Sequence, residues 1–343
     1  VLEQKLFEAA LGSPLIPRLK RRLNAGEFVC LNSVAEAGQP FVCYLLSQIS
    51  NRPMLIVTDS ARSQETLLAD LQTFVPGALP FPAWETLPHE DILPDQQTIA
   101  DRLRVLDQMP AVIVASVPAL LQRTFSPEAY RRELLTLAVG QNLDRDALVA
   151  ALTERGYSPE IQVGEPGDMA VRGALVDFYP LDADAPVRVE FAGDQIESIR
   201  SFDPATQQSR AKLEDVRFSA AGEIGFLKKS PDQAASLAAH LPGNALLVLV
   251  EPDALALAAK AYERRVPDND PFHVSWSTWL QAGLATVHVT EQIALDEDAA
   301  HLNLRLASLD AFRPLNLQQP DPEVAARSRQ TFFEQMRRWM ADG

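Results

Sequence analysis

Apolar residues in the first third of the chain recur with two different periods. The run Met54-Leu55-Ile56-Val57-Thr58 is continuously apolar and rich in β-branched residues, which predicts a strand buried on both faces. Asp59-Ser60 then supplies helix caps, and Leu67, Leu68, Leu71 and Phe74 follow at helical spacing. Ile99, Leu103 and Leu106 mark a second helix over 96–108, ahead of a strand over 111–115. Upstream, 26–31 reads as strand, 32–37 as loop, and a helix begins at Gly38. Strands alternating with helices over 26–124 predict a parallel α/β sheet.

The texture changes after about residue 135. A short helix over 144–155 precedes strand-like runs at 173–179, 187–191 and 196–202. Turn residues cluster between them at 164–167, 182–186 and 192–194. This predicts an inserted small α+β domain with antiparallel strands. The α/β pattern returns with a strand over 245–250, a helix over 253–264 and a strand over 284–290. The expected organisation is a parallel-sheet, P-loop-like domain split in sequence: a first half over 1–134, the insertion over 135–216, and a second half over 217–320. A C-terminal linker helix follows over 321–343, with Asp321 as N-cap and Pro322 at its first position. Phe332, Met336 and Met340 are expected on one face of it, with Phe333 and Trp339 off that face.

Composition narrows the function classes. At 343 residues, 47% hydrophobic and 22% charged, the chain is globular and long enough for two or three cores. A net charge of −15 argues against a dedicated nucleic-acid binder, whose usual footprint is a basic stripe. Residues 141–216 hold 15 Asp/Glu against 7 Lys/Arg, so arginines there are expected to act locally and not as a basic field. Two cysteines, Cys30 and Cys43, make no disulfide framework and fit a reducing cytoplasm. His89, His240, His273, His288 and His301 lack metal-ligand spacing, and no nucleophile motif is present, so neither a metal nor a catalytic residue is assigned. The apolar run 245–250 is too short to span a bilayer, and the first residues lack a signal-peptide core. The missing initiator Met leads us to expect a piece of something larger.

One stretch carries candidate chemistry. The strand–loop–helix over 26–50 has the layout of a P-loop, G-x-x-x-x-G-K-[ST], whose backbone N–H groups surround a phosphate at a helix N-terminus. Here Ser33 stands at the first glycine, Gly38 at the second, Gln39 at the lysine and Pro40 at the Ser/Thr. Gln39 has no charge for phosphates, and Pro40 has neither hydroxyl nor N–H. The apolar run ending at Glu251 lacks the paired Asp-Glu of a Walker B site. The frame is that of a nucleotide hydrolase with its working parts gone. Phe81 and Trp84 could stack bases, but between Pro82 and Pro88 they read better as a rigid loop plugging the core.

Two stretches resemble a known family. The first is Phe81-Pro82-Ala83-Trp84-Glu85-Thr86-Leu87-Pro88, with Ala100-Asp101-Arg102-Leu103 and Val112-Ile113-Val114-Ala115-Ser116-Val117. The second runs from Gly164-Glu165 through Arg172-Gly173-Ala174-Leu175-Val176-Asp177-Phe178-Tyr179-Pro180. It continues with Val187-Arg188-Val189-Glu190-Phe191 and Gly193-Asp194-Gln195-Ile196-Glu197-Ser198-Ile199-Arg200, and ends at Phe202-Asp203-Pro204. Together, over about 26–216, they resemble the N-terminal UvrB-homology module shared by bacterial transcription-repair coupling factors (Mfd) and the excision-repair subunit UvrB. UvrB keeps an intact P-loop, so the degenerate one here resembles the coupling factor.

The resemblance implies a non-catalytic module that recruits UvrA to stalled RNA polymerase for nucleotide excision repair. It implies no cofactor in this chain, since ATP, RNA polymerase and DNA engage parts of the family protein absent here. Arg172 and Arg188 match family arginines that contact UvrA, with Phe191 and Ala192 beside them; Ala192 stands where the family has an aromatic. Read alone, each arginine would pair with a nearby acid, Asp177, Glu190 or Asp194. Two alternatives remain open: a UvrB-like ATPase or helicase fragment, and a stand-alone, motor-less UvrA-binding paralogue.

Overall fold

The computed structural model describes residues 7–8, 10–87, 89–90, 94–219, 223–294, 300–306 and 322–342. Pro88 and Asp321, invoked above, lie outside them. Strands β1 (Val29–Val34), β2 (Met54–Thr58), β3 (Leu79–Phe81) and β4 (Val112–Ser116) come first. The short β5 (Thr124–Phe125) and β6 (Leu135–Ala138) lead to β7 (Ser158–Pro159), β8 (Asp168–Arg172), β9 (Leu175–Phe178) and β10 (Val187–Ala192). Then come β11 (Gln195–Phe202), β12 (Ser209–Leu213), β13 (Asp215–Phe218), β14 (Ala234–Ala235), β15 (Leu246–Val250), β16 (Ala285–Val289) and β17 (His301–Leu306).

Seven strands form one parallel sheet in the order β17-β1-β16-β15-β2-β4-β3. Both faces are covered, which is why its strands read as unbroken apolar runs. Leu55, Val57, Ile113 and Ala115 point into one core, while Met54, Ile56, Val112 and Val114 point into the other. Local capping fixes the helices around it. Ser60 and Ser63 form a reciprocal box at the start of Ala61–Leu71, and Asp95 accepts from the Gln97 N–H at the start of Gln96–Gln108. Phe74 falls past the end of Ala61–Leu71 and stacks on Tyr44, with ring centroids 5.3 Å apart.

The insertion is a six-stranded sheet, β12-β11-β10-β9-β8-β7, antiparallel apart from the short β7–β8 pair. The chain enters through β6 and leaves through β13, and these two strands pair with each other from Leu135↔Phe218 to Ala138↔Asp215. The insertion is not a separate bead. Val176, Phe178, Val187, Val189 and Ile199 belong to the same apolar cluster as one face of the parallel sheet. The fold is therefore α/β with a large parallel sheet and an inserted antiparallel sheet.

A buried polar node stands behind that shared core. Arg102 is fully enclosed, its guanidinium 4.3 Å from the ring centre of Phe81 and 4.5 Å from that of Trp84. It donates to both oxygens of Glu223, at 2.8 and 3.2 Å, and Trp84 Nε1 and Thr124 Oγ1 donate to the same carboxylate at 2.9 and 2.6 Å. Phe81 and Trp84 are thus core residues and cannot stack bases. The helix Pro322–Asp342 differs from expectation: Met340, like Phe333 and Trp339, is exposed, while Phe332 and Met336 are half-buried.

Candidate functional site

In an open parallel sheet, ligands bind beyond the carboxyl ends of strands where the winding reverses. That position lies here between β1, β15 and β2, and a cavity of about 600 Å³ opens there. The expected loop is shorter than the sequence suggested. β1 runs on to Val34, because β17 continues the sheet beside it (Asn32↔Asn303, Val34↔Leu306), with a bulge at Ser33. Ser33 keeps a left-handed backbone, φ +56°, at the place of the first glycine. Gly38, at φ −92°, has no such need.

Five N–H groups along this loop are already engaged within the chain. Ser33 donates to Gln292 O at 2.8 Å, Val34 to Thr290 O at 3.0 Å, and Ala35 to Leu306 O at 2.8 Å. Gly38 donates to Ala35 O at 2.7 Å and Gln39 to Glu36 O, closing a 3₁₀ turn over Glu36–Gly38; Pro40 has no N–H. Gln39 turns its side chain across the cleft to Glu251, Nε2 to Oε1 at 2.9 Å. Thr290 Oγ1 at 2.9 Å and the Glu291 N–H at 2.7 Å complete the shell of Glu251, which itself sits at φ +54°. Glu36, Asp59, Asp70, Glu251 and Glu291 line the cavity with no Lys or Arg among its lining residues. Five carboxylates around a polyphosphate site would repel the ligand.

The inserted sheet places the arginines differently. Ala170, Asp177, Arg188, Arg200 and Lys212 stand in register across five strands, so they share one face. Val189 and its neighbours Val176 and Ile199 point to the other face, into the core. Arg188 pairs with Asp177, one of the three acids the sequence offered. Its Nε and Nη2 each donate to Asp177 at 2.7 Å, and its guanidinium lies 4.7 Å from the Phe202 ring centre. Asp177 is buried, and its bonds hold the Arg188 guanidinium above its ordinary pKa against the cost of burial.

Arg172 ends β8, and Gly173 at φ +60° turns the chain into β9. Its side chain is exposed and donates from Nη2 to Ile161 O at 2.8 Å. Two exposed apolar residues adjoin it, Val171 and Ile161, the latter 92% exposed. Sequence reasoning missed both; the signal was an isoleucine in a polar stretch that no period claims. Phe191 is corrected: it is buried in the shared core and faces away from the arginines. Ala192 is exposed at the hairpin to β11.

Among the described residues no three His, Cys, Asp or Glu side chains are arranged to hold a metal ion. Cys30 and Cys43 are free and buried, and enclosure pushes the Cys43 thiol up to about 12. No helix among the described residues is long and apolar enough to cross a membrane.

Comparison with known proteins places a family match on the inserted sheet. A family model described as the UvrB interaction domain matches residues 135–223. The transcription-repair-coupling factor of Mycobacterium tuberculosis (strain CDC 1551 / Oshkosh) is 35% identical over 253 residues, covering 69% of this chain and 20% of that protein. That of Myxococcus xanthus is 33% identical over 230 residues, 63% of this chain and 19% of the relative. That of Escherichia coli (strain K12) is 32% identical over 188 residues, 52% of this chain and 16% of the relative. The chain therefore spans about a fifth of the length of these curated relatives. It belongs to the family of N-terminal UvrB-homology modules of transcription-repair coupling factors.

Proposed function

We propose that this chain is a non-catalytic recruitment module that binds UvrA through the outer face and edge of its inserted sheet. In this reading it brings UvrA to RNA polymerase stalled at damage, while polymerase, DNA and ATP engage other parts of a larger coupling factor. The observation that carries it is the coincidence of the UvrB interaction match with the inserted sheet. The cleft adds support: five carboxylates and no Lys or Arg among its lining residues suit it poorly to a polyphosphate.

Arg172 is the leading contact. It is exposed, lies beside Val171 and Ile161, and forms no ion pair among the described residues, so it can offer a guanidinium to an acid on UvrA. Arg188 contributes the part of its guanidinium left over from Asp177, and Ala192 shapes the adjoining hairpin. Phe191 supports from beneath. The purified chain should pull down UvrA, and Arg172→Glu should lose that binding, about 2–5 kcal/mol if the contact is desolvated, with an unchanged melting temperature. Retained binding by Arg172→Glu would sink the site; no binding by the wild type would sink the function. Duplex DNA should bind no tighter than the non-specific range of about 10⁻⁴ to 10⁻⁶ M.

A further inference from the structure

Past the end of β7 the chain crosses from the edge of the inserted sheet onto its outer face. Val163 is buried there against Ala170 and Phe202, with Tyr179 beside them. Ala170 stands in the row that carries Asp177 and Arg188, so Val163 seats this stretch on the arginine-bearing face. Two carbonyls of the stretch are held from either side. Arg172 Nη2 donates to Ile161 O at 2.8 Å, and Gln207 Nε2 donates to Val163 O at 3.0 Å. Arg188 Nη1 stands 3.5 Å from Gln207 O. Polar contacts therefore run from Arg172 through residues 161–163 and Gln207 to Arg188.

Between these ties Ile161 projects into solvent, 92% exposed, with exposed Glu160 and Gln162 on either side. Among the described residues β7 pairs with β8 only at Asp168 and Met169. Val171 and Arg172 lie beyond that pairing, at an open edge, and Val171 is 43% exposed. A single exposed aliphatic side chain means little on a soluble protein. This one differs in being fixed: its own carbonyl and the one two residues on are both held. Little backbone freedom is then left to lose when a partner covers it.

Resting on the function proposed above, we propose that Ile161 is the apolar anchor of the UvrA contact, with Val171 widening the patch beside Arg172. The UvrA surface that fits is an apolar socket with a carboxylate at its rim. The socket takes Ile161 out of water, and the carboxylate accepts the guanidinium N–H groups that Arg172 does not spend on Ile161 O. An apolar centre inside a polar rim is where binding energy concentrates in such contacts. Arg172 then acts twice, meeting the acid and holding Ile161 in place.

Calorimetric titration of the whole chain with UvrA, at low and at high salt, tests this. Ile161→Ser should weaken binding about 10- to 100-fold, the range for one aliphatic side chain no longer buried. Its melting temperature should not change, because the side chain is almost wholly exposed in the free chain. Ile161→Leu should recover most of the affinity. The Ile161→Ser loss should be equal at both salt concentrations, whereas Arg172→Glu should lose more at low salt. The heat-capacity change on binding should also become less negative in Ile161→Ser. Leu257, 70% exposed on the helix Pro252–Glu263, supplies the control: Leu257→Ser should bind as the wild type does. Wild-type affinity in Ile161→Ser, or an equal loss in Leu257→Ser, would overturn the anchor and leave the UvrA function standing. No binding by the wild type would overturn both.

Discussion

The parallel-sheet cleft and the inserted sheet dispose of their polar groups in opposite directions. In the cleft the donors turn inward: Gln39 bonds Glu251, and the N–H groups of Ser33, Val34, Ala35 and Gly38 bond carbonyls of the chain itself. On the inserted sheet Arg188 is held by Asp177, with Nη1 3.5 Å from Gln207 O, while Arg172 stays exposed. In the function proposed above, the parallel sheet serves as scaffold and the recognition groups sit on the insertion. The difference teaches that a phosphate site is lost through its backbone as well as its side chains. Gln39 and Pro40 remove the charge and the hydroxyl; the carbonyls of Gln292, Thr290 and Leu306 take up the N–H groups of Ser33, Val34 and Ala35.

The largest test of that contrast strikes the node on which both regions rest. Arg102→Ala leaves Glu223 buried without its cation and should cost about 3–5 kcal/mol in chemical denaturation. Because the two sheets share one apolar cluster, the variant should still unfold in a single transition. Two separate transitions would show the regions to be energetically independent. Next in size, Asp177→Ala strands the half-buried Arg188 and should cost about 2–3 kcal/mol. The matching change in the cleft, Glu251→Ala, should cost less, about 1 kcal/mol, because it leaves only neutral donors, Gln39, Thr290 and the Glu291 N–H, at the lip of an open cavity. Equal costs would erase the distinction between a structural charge pair and a carboxylate held by neutral donors.

The smallest effect is an expected null. Gln39→Lys with Pro40→Thr restores the motif's letters, yet Mg·ATP should shift the melting temperature of neither the wild type nor this variant. A ligand at 100 times its Kd would add about 2.7 kcal/mol, so even modest binding is visible. A dose-dependent shift in the double variant alone would mean that the amides can be recruited back, and that side chains were the only loss.

Much of this was legible in the sequence where burial is two-sided or caps are strong. Met54–Thr58 and Gln96–Gln108 fall where the periods place them. β12 was not legible, because Ser209–Leu213 is exposed almost throughout and carries no apolar alternation. β17 was hidden by a bulge with Arg305 at φ +56°, which breaks the period of two. At the site, the losses at Gln39 and Pro40 could be read directly. Glu251 could not be read as Gln39's partner, since 212 residues separate them and no local pattern joins the two. Asp177 was one of three acids within reach of Arg188, and only strand register selects it. Phe191 was misplaced although alternation already set it with Val187 and Val189; the family resemblance was followed over the period.

The position of β1 in its sheet has a consequence for synthesis. Its two neighbours, β16 and β17, lie about 260 and 270 residues downstream, beyond the whole insertion. At about 5–20 residues per second, both edges of β1 stay without their native partners for roughly 13–54 seconds of elongation. During that time β2 and β4 can pair, and the insertion can complete its own hairpins, all from contiguous chain. The strand that leads into the old phosphate loop is therefore the last of the sheet to be enclosed. A nascent chain paused before residue 285 should expose it, apolar on both faces, to any chaperone or neighbouring chain within reach.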